Sequence, residues 1–413
     1  MTALRRRRRR STILAASAII LTVAAVAGIA IVGGLTLYHS TDGVDASDDR
    51  PERTFPDTPT GLIAAVDDDG RLASLAVVVV QPSGAGGSIV TVPVSADASS
   101  GDGRERLPVA ETAQLSGIDS VRREVEILLG LTIDSFVVAD RAQLEELLGE
   151  VGEIEVDLPV DVTDSDGQRV ADAGEQTLDP ATAAAVLVAR DSSMPAAEQY
   201  PAATAVWAGV AAAVGDGIDA RGVEGLMATP STTRPPTATA TGEGIDDVLS
   251  QALSGRLGTR GLDASPVSDN KNPRDADVVV LDRAEVALVF GQIAPSKVAA
   301  PNPALTFRVE SPFDDADLEG SGLTNDELAY RAISRLIFVR GNVLSVDTTP
   351  GDVPAKTTIE VADESLVAGV RNTRNYLGPI DVRVAEVRIV GVDAVVRLGE
   401  SYVDLVRTGG SSD

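Results

Sequence analysis

The chain has 413 residues, enough for two or three domains, and its 62 acidic and 35 basic side chains leave a formal net charge of −27. An exterior this acidic argues against a nucleic-acid binder, which needs Lys and Arg to replace phosphate counterions, and one Trp, five Tyr and six Phe argue against a base- or sugar-stacking platform. With no Cys and a single His, His39, the globular part holds no disulfide, thiolate nucleophile, zinc–thiolate site or Ser-His-Asp triad.

Six of the basic residues form one run, Arg5 to Arg10, and residues 11–41 carry no Asp, Glu, Lys or Arg. The apolar stretch from Ile13 to Tyr38 is long enough to cross roughly 30 Å of hydrocarbon. It exceeds the roughly 7 to 15 apolar residues of a cleaved signal peptide. The first charges beyond it are acidic (Asp42, Asp45, Asp48, Asp49), so the positive-inside rule keeps the N-terminus in the cytoplasm. The expectation is a cytoplasmic basic tail over 1–11, a transmembrane helix over 12–38 and a linker over 39–58, with the bulk extracytoplasmic. His39 reads as an interfacial residue. Three lysines (Lys271, Lys297, Lys356) among 35 basic residues, with abundant Ala and Gly, suit a GC-rich bacterial genome.

A first strand is predicted at Gly61–Val66, then a loop through Asp67-Asp68-Asp69-Gly70-Arg71. Leu72–Val80 is a continuous apolar run suited to a strand buried on both faces. Gln81–Gly87 has turn chemistry, Ser88–Val94 is a strand, and a Ser/Asp/Gly loop runs to Gly103. Helices are expected at Gly117–Leu129, Arg141–Leu148, Thr182–Ala189 and Ala202–Val214, and strands at Ser135–Ala139 and Glu153–Leu158. Thr229–Thr241 reads as a solvated loop, Asp247–Arg256 as helix, Asp277–Leu281 as strand and Arg283–Gln292 as helix. Ala294–Pro303, with three prolines, reads as a linker. Beyond it come strands at Leu305–Glu310, Val343–Val346, Thr357–Val361, Ile380–Val384 and Ala394–Leu398, and helices at Asn325–Phe338 and Asp363–Leu377. Strands alternating with helices predict an α/β class.

The stretch from Glu126 to Asp140, the segment Leu148–Pro159 and the turn Ala173–Pro180 resemble the LytR-CpsA-Psr family of bacterial envelope proteins. Ala394–Tyr402 resembles the close of the LytR C-terminal type domain that follows in some members. The resemblance implies a three-layer α-β-α domain with a central mixed sheet over 59–298 and a smaller C-terminal α/β domain over 304–408. It implies an apolar cavity for a polyprenyl chain, arginines at its mouth for pyrophosphate, and carboxylates for Mg²⁺. The activity it implies is transfer of glycopolymer from the lipid carrier to peptidoglycan. Arg forks and Mg²⁺ stabilise phosphate charge, so that chemistry is physically sound.

The charged positions of the family pattern are mostly replaced. Its Pro-Arg-Asp after the third strand reads Pro93-Val94-Ser95, and its Arg-Ser-Asp at the second strand reads Ala73-Ser74-Leu75. Its paired arginines after the middle helix read Val188-Ala189-Arg190, and its downstream Arg-Gln reads Glu198-Gln199. Asp69-Gly70-Arg71 keeps the first motif. The expectation is a catalytically degenerate binding protein for polyprenyl-linked glycopolymer or protein partners. The alternative is a divergent, Mg²⁺-dependent glycopolymer–peptidoglycan phosphotransferase.

Arg190 and Arg71 are the catalytic candidates. Arg71, Arg104, Arg106 and Arg190 are the phosphate and lipid candidates, and Asp67 and Asp69 the metal candidates. Each has a plainer reading. Asp67 to Arg71 is good turn chemistry, and it lacks the alternating spacing of a calcium loop. Arg190 closes a helix, where a cation is favoured anyway. Arg104 and Arg106 also read as exposed surface charge. Glu198 and Gln199 read as surface residues, Asp161, Asp164 and Asp166 as a hairpin loop, and Trp207 as core.

Overall fold

The computed structural model describes residues 50–98, 106–218, 244–267, 272, 276–301 and 303–408. The expected transmembrane helix, His39 and the loop Thr229–Thr241 lie outside the described residues. Among the described residues no helix is long and apolar enough to cross a membrane. The described residues from 52 to 408 form one unit.

In chain order the first half carries β1 (Thr60–Val66), β2 (Leu72–Val80), β3 (Gly87–Val92), α1 (Val109–Ser116), α2 (Val121–Leu129), β4 (Ser135–Ala139) and α3 (Arg141–Gly149). There follow β5 (Ile154–Leu158), the hairpin β6 (Val162–Thr163) and β7 (Arg169–Ala171), β8 (Gly174–Leu178), α4 (Pro180–Val188) and α5 (Ala196–Val214). Then come α6 (Ile245–Leu253), β9 (Leu257–Gly261), β10 (Ala264–Pro266), β11 (Val279–Leu281) and α7 (Arg283–Ile293). The C-terminal part consists of β12 (Thr306–Glu310), α8 (Asn325–Phe338), β13 (Asn342–Asp347), β14 (Thr357–Val361), β15 (Ile380–Val384), β16 (Ala394–Arg397) and α9 (Glu400–Arg407).

The first sheet has strand order β9-β3-β2-β1-β4. β1–β2 and β2–β3 are antiparallel, whereas β1–β4 and β3–β9 are parallel, so the sheet is mixed. Side-chain alternation sends the residues of one strand to opposite faces. Ile63 and Ala65 of β1 pack with α3, α4, α5 and α6, and Leu62, Ala64 and Val66 pack with α1, α2 and α7. Helices on both faces explain why β2 is apolar along its length. The second sheet has order β13-β12-β16-β14-β15 and is parallel except at β14–β16.

Two element expectations are corrected. Asp363–Leu377 is not one helix but four short turns, at 364–366, 367–370, 371–373 and 374–377. Gly369, Asn372 and Thr373, which lie within these turns, are weak helix formers. Ala294–Pro303 is not a free linker either. Lys297 bridges Asp57 and Asp134 at 2.9 Å each, the Ala299 N–H donates to the Gly130 carbonyl at 2.8 Å, and Thr58 and Ser296 hydroxyls meet at 2.8 Å.

Helix α7 belongs to both cores. Val286, Val289 and Phe290 pack into the first, and Ala284 and Leu288 into the second. Gly291 lets α7 approach β13 closely, since a Cβ there would stand 2.8 Å from the Val346 side chain.

Candidate functional site

A cleft of about 780 Å³ opens where the start of β2, the end of β3, the end of α4 and the start of α5 meet. Asp179 caps α4 by accepting from the Thr182 N–H at 2.7 Å, with Pro180 in the first turn, so the chain enters the helix in a fixed register. At the other end, the Ser74 hydroxyl donates to the Leu187 carbonyl at 2.7 Å. That bond ties the start of β2 to the end of α4 and brings Arg190 beside Asp67.

Asp67 is buried. Its Oδ1 accepts from the Asp69 and Arg71 N–H groups at 3.1 and 2.8 Å, closing the turn. Its Oδ2 is buried with no hydrogen-bond partner among the described residues and faces the Arg190 guanidinium at 3.6 Å. Arg71 is exposed and pairs with Asp69 at 3.5 Å.

The structure thus brings Arg71, Arg190 and Asp67 to one cleft. Leu75 and Val94 line the same cleft, with Ser74 between Ala73 and Leu75. Arg106 pairs with Asp97 and does not line the cleft. Its guanidinium neutralises a nearly buried carboxylate instead. Arg104 lies outside the described residues. Asp69 is an exposed partner of Arg71 and does not line the cleft.

Mg²⁺ characteristically takes one or two carboxylates plus phosphate oxygens. Here only Asp67 of the expected pair lines the cleft, and Arg190 already faces its free oxygen. Among the described residues no three acidic or imidazole side chains gather as a metal seat. Asp67 and Asp69 therefore do not fit the expected ion as a pair.

No protein-family model matches the chain, nor does any curated protein. Among solved structures it is similar to B. subtilis TagV, with 16% identity over 56% of this chain and 94% of that one and a TM-score of 0.40. It is also similar to TagT bound to LI-WTA, with 14% identity, coverage of 59% and 94% and a TM-score of 0.38. A third is a transcriptional regulator from Enterococcus faecalis, with 18% identity, coverage of 56% and 84% and a TM-score of 0.38.

Two residues at the cleft escape sequence reasoning. Gln199, read as a surface residue, holds the loop after α4. Its Oε1 accepts from the Asp191 N–H at 2.9 Å, and its Nε2 donates to the Asp191 and Met194 carbonyls at 2.9 and 2.7 Å. Tyr200 donates its hydroxyl to the Thr91 carbonyl at 2.9 Å and accepts from the Leu262 N–H at 2.6 Å, and burial pushes its pKa up. Their spacing gives no signal, because both partners are distant in sequence or in a loop.

Asp191 is held charged. The Ser193 hydroxyl and then the Thr163 hydroxyl donate to its carboxylate and lower its pKa. Asp161 pairs with Arg169 at 2.7 Å, and Asp164 Oδ1 accepts from the Asp166 and Gln168 N–H groups at 3.0 and 2.8 Å. These three acids form the expected hairpin loop. Trp207 is buried in the core, as expected. The cleft wall offers two described arginines against Asp67, Asp161, Asp191 and Asp277, with Val, Leu and Ala between them.

Proposed function

We propose that the protein is a membrane-anchored, envelope-facing relative of the LytR-CpsA-Psr proteins that binds polyprenyl-linked glycopolymer without transferring it. The observation that carries this reading is the cleft wall itself. Leu75 and Val94 stand where the family pattern has charges, and Arg190, which is retained, already faces the buried Asp67. A pyrophosphate in such a cleft lacks most of its charge-assisted contacts, each worth roughly 1.5–3 kcal/mol. Apolar walls still suit a lipid chain, whose burial gains about 0.8 kcal/mol per methylene.

The second reading is a divergent phosphotransferase that uses Arg71 and Arg190, and their presence on one cleft favours it. The two readings part in one experiment. The full chain in lipid nanodiscs is mixed with polyprenyl pyrophosphate, with and without Mg²⁺, and both binding and phosphate release are followed. The binding reading expects saturable, metal-independent binding and no release. Metal-dependent release that vanishes in Arg190→Ala would establish the transferase instead. No binding would remove both and leave protein partners.

A further inference from the structure

The second sheet has two unlike ends. β14 and β15 run opposite to β12, β13 and β16. One end therefore gathers the starts of β12, β13 and β16, at Thr306, Asn342 and Ala394, with the finishes of β14 and β15, at Val361 and Val384. Exposed apolar side chains collect there. Val384, the last residue of β15, is 40% exposed, and Val390, shortly before β16, is 51% exposed. Phe338, the last residue of α8, is 76% exposed, and its ring stands 6.0 Å from that of Tyr376. Arg340, at a φ of 66°, turns the chain from α8 into β13. Its N–H donates to the Ile337 carbonyl and the Gly341 N–H to the Leu336 carbonyl, both at 2.8 Å. Single exposed apolar residues are ordinary on a protein surface, but three at one end of one sheet mark a contact.

The chain arrives at the same end. Before it enters β1, Glu52–Arg53 pairs in parallel with Arg388–Ile389. The Val390 N–H donates to the Arg53 carbonyl at 2.9 Å, and Arg388 lies 3.4 Å from Glu52. Both flanks of that segment are tied to the sheet end. The Ala385 N–H donates to the Val361 carbonyl at 2.9 Å, and Asp393 Oδ2 accepts from the Thr306 N–H at 2.8 Å.

Residues 39–51 join the apolar stretch that ends at Tyr38 to Glu52. A fully extended chain of that length spans at most about 50 Å, and a flexible one averages roughly 20 Å. Among the described residues, an anchored chain is thus tied first to the second domain, at the end that carries Phe338, Val384 and Val390. Charge there is near balance, with Arg53, Arg340 and Arg388 against Glu52, Glu364 and Glu386. Asp363 and Asp393 are engaged with backbone N–H groups. Apolar contact, not charge, is what this end offers.

We propose that this end of the second domain rests on the lipid bilayer. Phe338, Val384 and Val390 enter the headgroup region, and Arg53 and Arg340 lay their stems on it with their guanidinium groups in water. Aromatic rings favour that interface, and long cationic side chains tolerate it. Three such side chains bind a membrane weakly by themselves. The tether holds them at an effective concentration on the order of millimolar, so weak contact suffices. This docking rests on the membrane-anchored part of the reading above and needs neither lipid binding nor transfer in the first-domain cleft.

The chain has no cysteine, so one introduced cysteine carries one dye. The full chain is placed in phosphatidylcholine nanodiscs in which some lipids bear a nitroxide quencher on the headgroup. Dyes are attached in Phe338→Cys, in Val390→Cys and, as the first-domain control, in Leu115→Cys. The expected result is several-fold stronger quenching at 338 and 390 than at 115, unchanged in high salt. With the dye in Glu386→Cys, adding Val384→Ser/Val390→Ser should cut the quenching several-fold and leave thermal stability as it was. Equal quenching at all three positions, in chains that stay with the disc, would overturn the docking and leave the anchor standing. Quenching lost in salt would overturn it as well, since charge would then make the contact, and so would a Val384/Val390 double variant quenched like its parent. A chain that does not stay with the disc has no anchor, and the docking falls with it.

Discussion

Arg340 shows what a single backbone angle costs. A left-handed conformation costs an L-residue on the order of 1 kcal/mol relative to glycine. Arg340→Gly is therefore expected to raise stability by up to about 1 kcal/mol, less the small loss of a cation at a helix end. Chemical denaturation measures this; a destabilised variant would mean that the arginine side chain has packing of its own. Glu285 presents the opposite case of a charge held at a cost. It is buried, accepts from the Asp263 N–H at 2.7 Å, and burial first, with the nearby Asp263 and Asp282 charges, raises its pKa. An acid whose folded pKa lies above its unfolded value penalises the fold above the folded pKa. The penalty fades as pH falls toward 4.5, its ordinary value. Glu285→Gln keeps the acceptor for Asp263 and removes the charge. It should melt higher than the parent at pH 7, with the difference shrinking as pH falls through the folded pKa; a constant difference would mean that the charge is not the cause. Tyr330 belongs to the same cluster: donation to Asp282 pushes its pKa up to about 12.

Helix α5 packs directly on β5, and Gly209 makes that contact possible. A Cβ there would stand 2.8 Å from the Glu155 carbonyl oxygen and 2.8 Å from Val156 Cγ1. Intrinsic propensity favours Gly209→Ala by about 1 kcal/mol, but overpacking costs about 1–3 kcal/mol. The variant should be net destabilised by thermal melting, and a net gain would show that β5 can retreat. Propensity alone predicts the wrong sign here, which is also why several elements escape sequence reasoning. β9 has the sequence Leu-Gly-Thr-Arg-Gly, with no apolar alternation, and is a strand because it pairs with Gly87–Thr91. The helix Ala196–Val214 begins before Pro201, although proline removes a helix donor, because its C-terminal part buries Val206, Trp207 and Val210. By contrast β2, which helices cover on both faces, is read correctly over its whole length, since apolar composition and burial agree there.

On the scale of the whole molecule, α7 places Phe290 in one core and Leu288 in the other. Gln292 adds bonds to Asp326 at 2.9 Å and Thr348 at 3.1 Å. Neither core is complete without this helix. Calorimetry of residues 50–413 should therefore give one cooperative transition, with calorimetric and van 't Hoff enthalpies equal. Two resolved transitions would mean that α7 stays with one core while the other melts.

The acidic charge, the absence of Cys, the alternation of strands and helices and the apolar run of β2 all follow from local composition and period, which a sequence displays directly. So do the turn at Asp67 and the hairpin at Asp164, whose hydrogen bonds close within four residues. The cleft is different. Arg190 reaches Asp67 across more than a hundred residues because Ser74 clamps Leu187, and Gln199 fixes the loop between them. Which arginines meet an acid depends on distances between segments remote in the chain. Periodicity carries no information about those distances, and only the packed tertiary structure sets them.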